Sequence, residues 1–158
     1  MIAAFTENDL YALGRILEYN KVRLKRRRRY FSRDGARYLK KPITPERYEE
    51  WLRFDSDMQM NDEVVEKIHG MIELDADEIE FATRIMRQSV DYSVDFLKEY
   101  SADGKRFKGK TSTPSQFKQW EQRKNGLPDK ESILEKLLDP KNHIEPDGGS
   151  VGGSDINS

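Results

Sequence analysis

"FSRDGARYLKKPITPERYEEW" (residues 31–51) and "YSADGKRFKGKTSTPSQFKQW" (residues 100–120) are two copies of one pattern, 69 residues apart. Without a gap, Asp34-Gly35 falls on Asp103-Gly104, Arg37 on Arg106 and Lys41 on Lys110. Thr44-Pro45 falls on Thr113-Pro114, and Trp51 on Trp120. The aromatic pairs Phe31/Tyr100, Tyr38/Phe107 and Tyr48/Phe117 keep the same register. Extended outward, the offset brings Arg15-Ile16 onto Arg84-Ile85 and "VVEKI" (64–68) onto "ILEKL" (133–137). Residues 6–73 against 75–142 share twelve identities, concentrated at cap and turn positions. A fixed internal period of this kind reads as a tandem duplication of one structural unit.

Each unit has the same local plan. Thr6 and Asp75 are N-cap residues, with Asp9 and Glu78 three positions later as capping-box partners. Phe5 and Leu74 precede them as hydrophobic staples onto Leu10 and Ile79. A long helix then runs over roughly residues 7–30 and 76–99. Its apolar stripe is Leu10, Leu13, Leu17 and Leu24 in the first copy, interrupted by Asn20. In the second copy it is Ile79, Ala82, Met86, Val90, Phe96 and Leu97. Asp-Gly breaks each helix, and either a small hairpin pairing Phe31 with Tyr38 across a two-residue turn at Asp-Gly or a plain helix–loop exit follows. Thr44-Pro45 and Thr113-Pro114 start a second helix, with Thr as cap and Pro at the first helical position. A third, shorter helix is expected at about 62–72 and 130–138. The predicted fold is therefore all-α, a tandem pair of three-helix units spanning 1–74 and 75–143. The Gly/Ser/Asp-rich residues 144–158 form a tail expected to be disordered.

Net charge is −1 over 158 residues, but it is strongly segregated. Residues 21–41 hold eleven basic side chains and one acidic, whereas residues 46–100 sum to −10. The sequence has no cysteine, which removes disulfides and thiolate metal sites from consideration. It has neither a leader-like start nor an apolar run of membrane-spanning length, so a cytoplasmic setting is expected, or the host cytoplasm if the protein is viral or from a mobile element.

Four motifs suggest chemistry. "GKRFKGKT" (104–111) satisfies the phosphate-loop spacing, but a helical segment precedes it where that motif needs a buried strand. In the first copy the positions of Gly109 and Thr111 hold Lys40 and Pro42. "EKIH" (66–69) has the Glu-x-x-His spacing of helical di-metal sites, yet His143 is the only other histidine and Pro140 stands where its Glu would be. "DADE" (75–78) is explained by helix-starting acids. No catalytic constellation emerges, and neither a metal nor another cofactor is expected.

The fourth motif, the basic run Lys25, Arg26, Arg27, Arg28 and Arg29, aligns with Val94, Asp95, Phe96, Leu97 and Lys98. The shared fold therefore does not require it, and five like charges covering every side of a helix call for a counter-charge. Phosphates of a nucleic acid would supply one, and so would the acidic stretch 46–100. The candidate contacts are Lys21, Arg23, the run Lys25 to Arg29, Arg33, Arg37, Lys40 and Lys41, joined by Lys105, Arg106, Lys108 and Lys110 of the second loop. Arg37 and Arg106, being shared, suit either a phosphate contact or stacking on a neighbouring aromatic ring as part of the fold. Residues 113–138 have the helix, Gly-containing turn and helix of a helix-turn-helix. Their Trp, Gly-Leu-Pro and apolar helix are similar to small repeats attached to some homing endonucleases, although the Phe-Gly-x-Trp ending of those repeats is absent. The expected function is a non-enzymatic nucleic-acid-binding accessory protein. Two alternatives use the same charges: a virion, assembly or adaptor protein working by association with itself or a partner, and a protein that inhibits or recruits a polymerase or nuclease. Asn20 within the apolar seam fits the specified interface of the first.

Overall fold

The computed structural model describes residues 4–142. Four helices carry the fold: α1 (Glu7–Arg28), α2 (Pro45–His69), α3 (Ala76–Lys98) and α4 (Pro114–Leu138). Between α1 and α2 lies a minimal hairpin, β1 (Arg37–Tyr38) and β2 (Lys41–Pro42). Between α3 and α4 lies its counterpart, β3 (Arg106–Phe107) and β4 (Lys110–Thr111). The starts of all eight elements repeat at the 69-residue offset of the sequence. Residues 144–158, the expected tail, and His143 lie outside the described residues.

The caps form as the sequence predicts. Thr6 and Asp75 close reciprocal capping boxes with Asp9 and Glu78, and Thr44 and Thr113 cap helices that open with proline. Leu10, Leu13, Leu17 and Leu24 are buried, as are Ile79, Ala82, Met86 and Val90. Phe96 and Leu97 are only half-buried, while Phe81 and Ile85 are buried instead. One central cluster takes side chains from all four helices, including Leu13, Val64, Met86, Ile133 and Leu137, so the two repeats share a single core. Each fully buried side chain of this size contributes about 1.5–3 kcal/mol relative to exposure.

The repeats lock together reciprocally. Lys67 of the first repeat reaches Glu78 of the second at 2.7 Å, and Lys136 of the second reaches Asp9 of the first. These pairs are equivalent under the 69-residue offset, the relation found across a two-fold interface. Each lysine lands on the carboxylate that accepts the N-cap amide of the other repeat's first helix, so one carboxylate serves both a helix start and the seam. Burial raises the pKa of Asp9, but bonds from Lys136 and the Thr6 backbone outweigh it and hold the group below its ordinary 3.8. The bond to Glu78 holds Lys67 above its ordinary 10.5, against a smaller opposing effect of burial.

Two expectations are corrected. The second and third helices of each unit are one continuous helix, so residues 113–138 contain no turn and form no helix-turn-helix. Gly126 and Pro128 lie inside α4, although they weaken helices locally by about 1 and 3 kcal/mol. Ile133 and Leu137, buried in the shared core beyond them, extend the helix through this weak point. The Asp-Gly dipeptide, in turn, is not the hairpin turn. Phe31 does pair with Tyr38 and Tyr100 with Phe107, but the two-residue turns fall at Leu39-Lys40 and Lys108-Gly109. All four of these residues have positive φ, between 50° and 79°, as a primed hairpin turn demands.

Gly35 and Gly104 serve the tryptophans. Both have positive φ (74° and 75°), and a Cβ added there would lie 2.6 Å from Trp51 and 2.3 Å from Trp120. The indole therefore packs on bare backbone, fastening each hairpin to the helix that follows. Ser32 and Asp34 brace the first loop, the Ser32 hydroxyl donating to Asp34 at 2.7 Å and accepting from the Arg37 amide at 2.9 Å. Ser101 and Asp103 repeat this arrangement.

Gly35→Ala and Gly104→Ala should each destabilise by about 2 kcal/mol or more, from left-handed strain plus collision with the indole. Gly109→Ala has the same left-handed strain but open space around it, and should cost about 1 kcal/mol. Urea titrations followed by tryptophan fluorescence separate the three, and equal losses would refute the role given to the indole contact.

A pH prediction follows from the seam. A carboxylate lowered in the folded state contributes stability above its unfolded pKa and loses it as pH falls through the folded value; a lysine raised in the folded state does the reverse. The thermal midpoint should fall below about pH 4 and again above about pH 10. Asp9→Asn should flatten the acid fall and leave the alkaline one, as read by circular dichroism melts across pH.

Candidate nucleic-acid interface

The last turn of α1 carries Lys25, Arg26, Arg27 and Arg28, whose charge suits the negative end of the helix dipole. Three of these differ from the fourth. Lys25, Arg26 and Arg27 are exposed and have no acidic partner among the described residues, whereas Arg28 turns inward. It meets Asp55 at 3.2 Å and lies 5.6 Å from the centre of the Trp51 ring. Arg29, the C-cap, stays exposed and stacks over Tyr30 at 5.4 Å. Arg33 approaches from the following loop, so that Lys25, Arg28, Arg29 and Arg33 line one open depression of about 340 Å³, with Phe31, Ser32 and Met58 as its other walls.

The hairpin adds exposed Lys40 and Lys41. Arg37 also lies at the surface, but its guanidinium donates to the Lys40 carbonyl at 3.3 Å. Arg106 donates to the Gly109 carbonyl at the same distance. The shared arginine is thus not stacked on a ring as expected but braces the strained turn through the turn's own carbonyl. The ring beside it takes a different cation, Arg47, 4.3 Å above Tyr38. On the second hairpin Lys105, Lys108 and Lys110 are exposed, and Lys108 lies 5.2 Å from the Phe107 ring. The phosphate-loop-like residues 104–111 are this hairpin, preceded by α3 rather than by a buried strand.

Two further candidates stand apart from the depression. Lys21 pairs with Asp62 at 2.7 Å. Arg23 bonds Asn20 at 2.9 Å and Gln88 at 3.3 Å, on the side facing α3. Asn20 itself is satisfied within the chain: its amide donates to Asn61 at 3.0 Å, and Asn61 donates to the Leu17 carbonyl at 2.9 Å. The polar residue in the α1 seam thus specifies the α1–α2 contact. The loop carboxylates Asp34 and Asp103 are held below their ordinary 3.8, Asp34 first by the Ser32 hydroxyl and Asp103 first by the Lys105 amide. They remain charged beside the lysines and arginines, and are committed to the loops.

Sequence reasoning missed a second group of cations, Arg15, Arg123 and Lys130, which join Arg23 around a cleft between α1, α3 and α4. The signal lay in the alignment of the copies. Where the first repeat has Leu24, Phe54 and Asn61, the second has Ser93, Arg123 and Lys130.

Among the described residues, no group of three or more His, Cys, Asp and Glu side chains is placed to hold a metal, and no helix is long and apolar enough to cross a membrane. Comparison with protein-family models, curated proteins and solved structures returns no match.

Proposed function

We propose that the protein binds the phosphate backbone of a nucleic acid through the end of α1 and its hairpin, as an accessory factor without catalytic activity of its own. The observation behind this reading is the sorting of charge at that end. Arg28 and Lys21 are consumed by internal ion pairs, while Lys25, Arg26, Arg27, Arg29, Arg33, Lys40 and Lys41 have no carboxylate partner among the described residues. Unbalanced charge that the second repeat does without costs stability through self-repulsion, and a polyanion offsets it. Lysine and arginine contacts to phosphate give affinity that is sequence-tolerant and salt-dependent. The exposed Tyr30 beside Arg29 offers a ring face to an unpaired base.

The triple variant Lys25→Ala, Arg26→Ala, Arg27→Ala should stay folded, because the second repeat builds the equivalent helix without a basic run. Its affinity for duplex and single-stranded oligonucleotides should fall across all sequences. On duplex DNA the slope of log affinity against log salt should flatten by about one unit for each phosphate no longer neutralised. Fluorescence anisotropy across a salt series measures both, and an unchanged slope in the folded variant would refute the assignment. Loss of self-association with no oligonucleotide binding from the start would instead favour an acidic protein surface as the partner.

A further inference from the structure

The cleft between α1, α3 and α4 is built where the two repeats diverge. Its α1 and α3 walls use equivalent positions, Ile16 with Ile85, Tyr19 with Gln88, Asn20 with Ser89 and Arg23 with Tyr92. The contact between α3 and α4 breaks the equivalence. In the first repeat Leu24 and Phe54 pack as a small apolar cluster, and Asn61 closes the seam by hydrogen bonds. At the same positions the second repeat places Ser93, Arg123 and Lys130. Lys130 is half-buried and donates to the Ser93 hydroxyl at 3.0 Å, with no carboxylate partner among the described residues. Arg123 lies between the rings of Tyr92 and Phe96, 4.8 and 4.9 Å from their centres. Arg23 is held by two neutral amides, and Arg15 lies 5.9 Å from the Tyr11 ring.

Four cations thus surround a cavity of about 450 Å³ that no acidic residue lines. That volume falls within the range of small-molecule sites, about 300–1,000 Å³. Desolvation, then the nearby Arg123, lowers the pKa of Lys130, the mark of positive charge without a counter-ion. Tyr19 and Tyr92 stand at the rim, 67% and 58% exposed, and present aromatic surface beside the charge.

We infer that this cleft binds a nucleoside phosphate, its phosphate held by Arg123, Lys130 and Arg23 and its base against a rim tyrosine. The site is separate from the basic end of α1 and does not rest on the function proposed for it. The same chemistry is offered by a free nucleotide and by the phosphorylated end of a single strand, and the experiment distinguishes these sources.

The full chain is titrated calorimetrically with AMP, adenosine, inorganic phosphate and a 5′-phosphorylated single-stranded oligonucleotide. AMP should bind saturably and more tightly than phosphate or adenosine, because each of those lacks half of the recognised groups. Arg123→Gln and Lys130→Gln should each weaken AMP by at least about tenfold, as expected when a charged hydrogen bond is removed. Tyr19→Leu, at the rim tyrosine that does not hold Arg123, should weaken AMP while leaving inorganic phosphate nearly unchanged. The Lys25, Arg26, Arg27 triple variant should bind AMP normally, which separates failure of this site from failure of the α1 surface. Should AMP be silent while the oligonucleotide binds and weakens tenfold in Lys130→Gln, the occupant is a strand end and the site stands. Arg23→Gln, on the α1 wall, supplies the same test if either α4 variant fails to fold. No saturable binding of AMP or oligonucleotide below about 10 mM, far weaker than a specific site, would overturn the inference. Equal affinities in wild type and folded cleft variants would overturn it too.

Discussion

One apolar core shared by all four helices, flanked by an exchange of lysines between the repeats, holds the molecule together. Lys67 and Lys136 each cross to the capping carboxylate of the other repeat. Each carboxylate already accepts the N–H of its own N-cap residue, and a lysine fixed on a packed helix adds to that bond. Glu78 is almost fully buried, so removing Lys67 would leave a desolvated charge, and the two caps therefore fix the register of the seam. With that register set, the C-terminal halves of α2 and α4 close over the N-terminal halves of α1 and α3, where Leu13, Met86, Val64 and Ile133 meet. The ends of α1 and α3 with their hairpins then lie outside the central core. The first end has an apolar cluster of its own, Leu24, Phe31 and Phe54, with Trp51 against it.

That division leaves the hairpins free to differ while the core stays common. Gly35 against Trp51 and Gly104 against Trp120 are one contact made twice, and the Ser-x-Asp braces are likewise repeated. The cost is visible at Trp51, whose indole N–H is buried without a hydrogen-bond partner. Two non-glycine residues in the first turn, Leu39 and Lys40, also accept left-handed backbone. Arg37 offsets part of this by holding the Lys40 carbonyl. A turn fastened in this way can carry exposed lysines at its tip without depending on them for its shape.

The two unbalanced cationic regions arise by different routes. At the end of α1, charge was placed on an exposed helix turn that the core does not touch, and only Arg28 found a partner in α2. In the α1–α3–α4 cleft, cations stand where the first repeat has buried side chains, Arg123 at the position of Phe54 and Lys130 at that of Asn61. The first route changes the surface and leaves the interior alone. The second sets cations within the interior and partly desolvates a lysine that has no carboxylate partner among the described residues.

Caps, stripes and the 69-residue period were legible because each depends on residues close in the chain or on a register that needs no geometry. Thr6, Asp75, Thr44 and Thr113 announce helix starts by hydrogen bonds that reach only three residues. Gly35 and Trp51 were visible as repeated residues, but not as partners, since sixteen positions separate them and only the fold brings the indole onto the glycine. The continuity of α4 ran against the local signal of Gly126 and Pro128, because packing of Ile133 and Leu137 outweighed propensity. Sequence alone also marked every basic residue at the end of α1 as equivalent. Tertiary structure sorted them: charge is a property of a side chain, but a free charge depends on what the fold sets beside it, and for Lys21 and Arg28 that is an aspartate of α2.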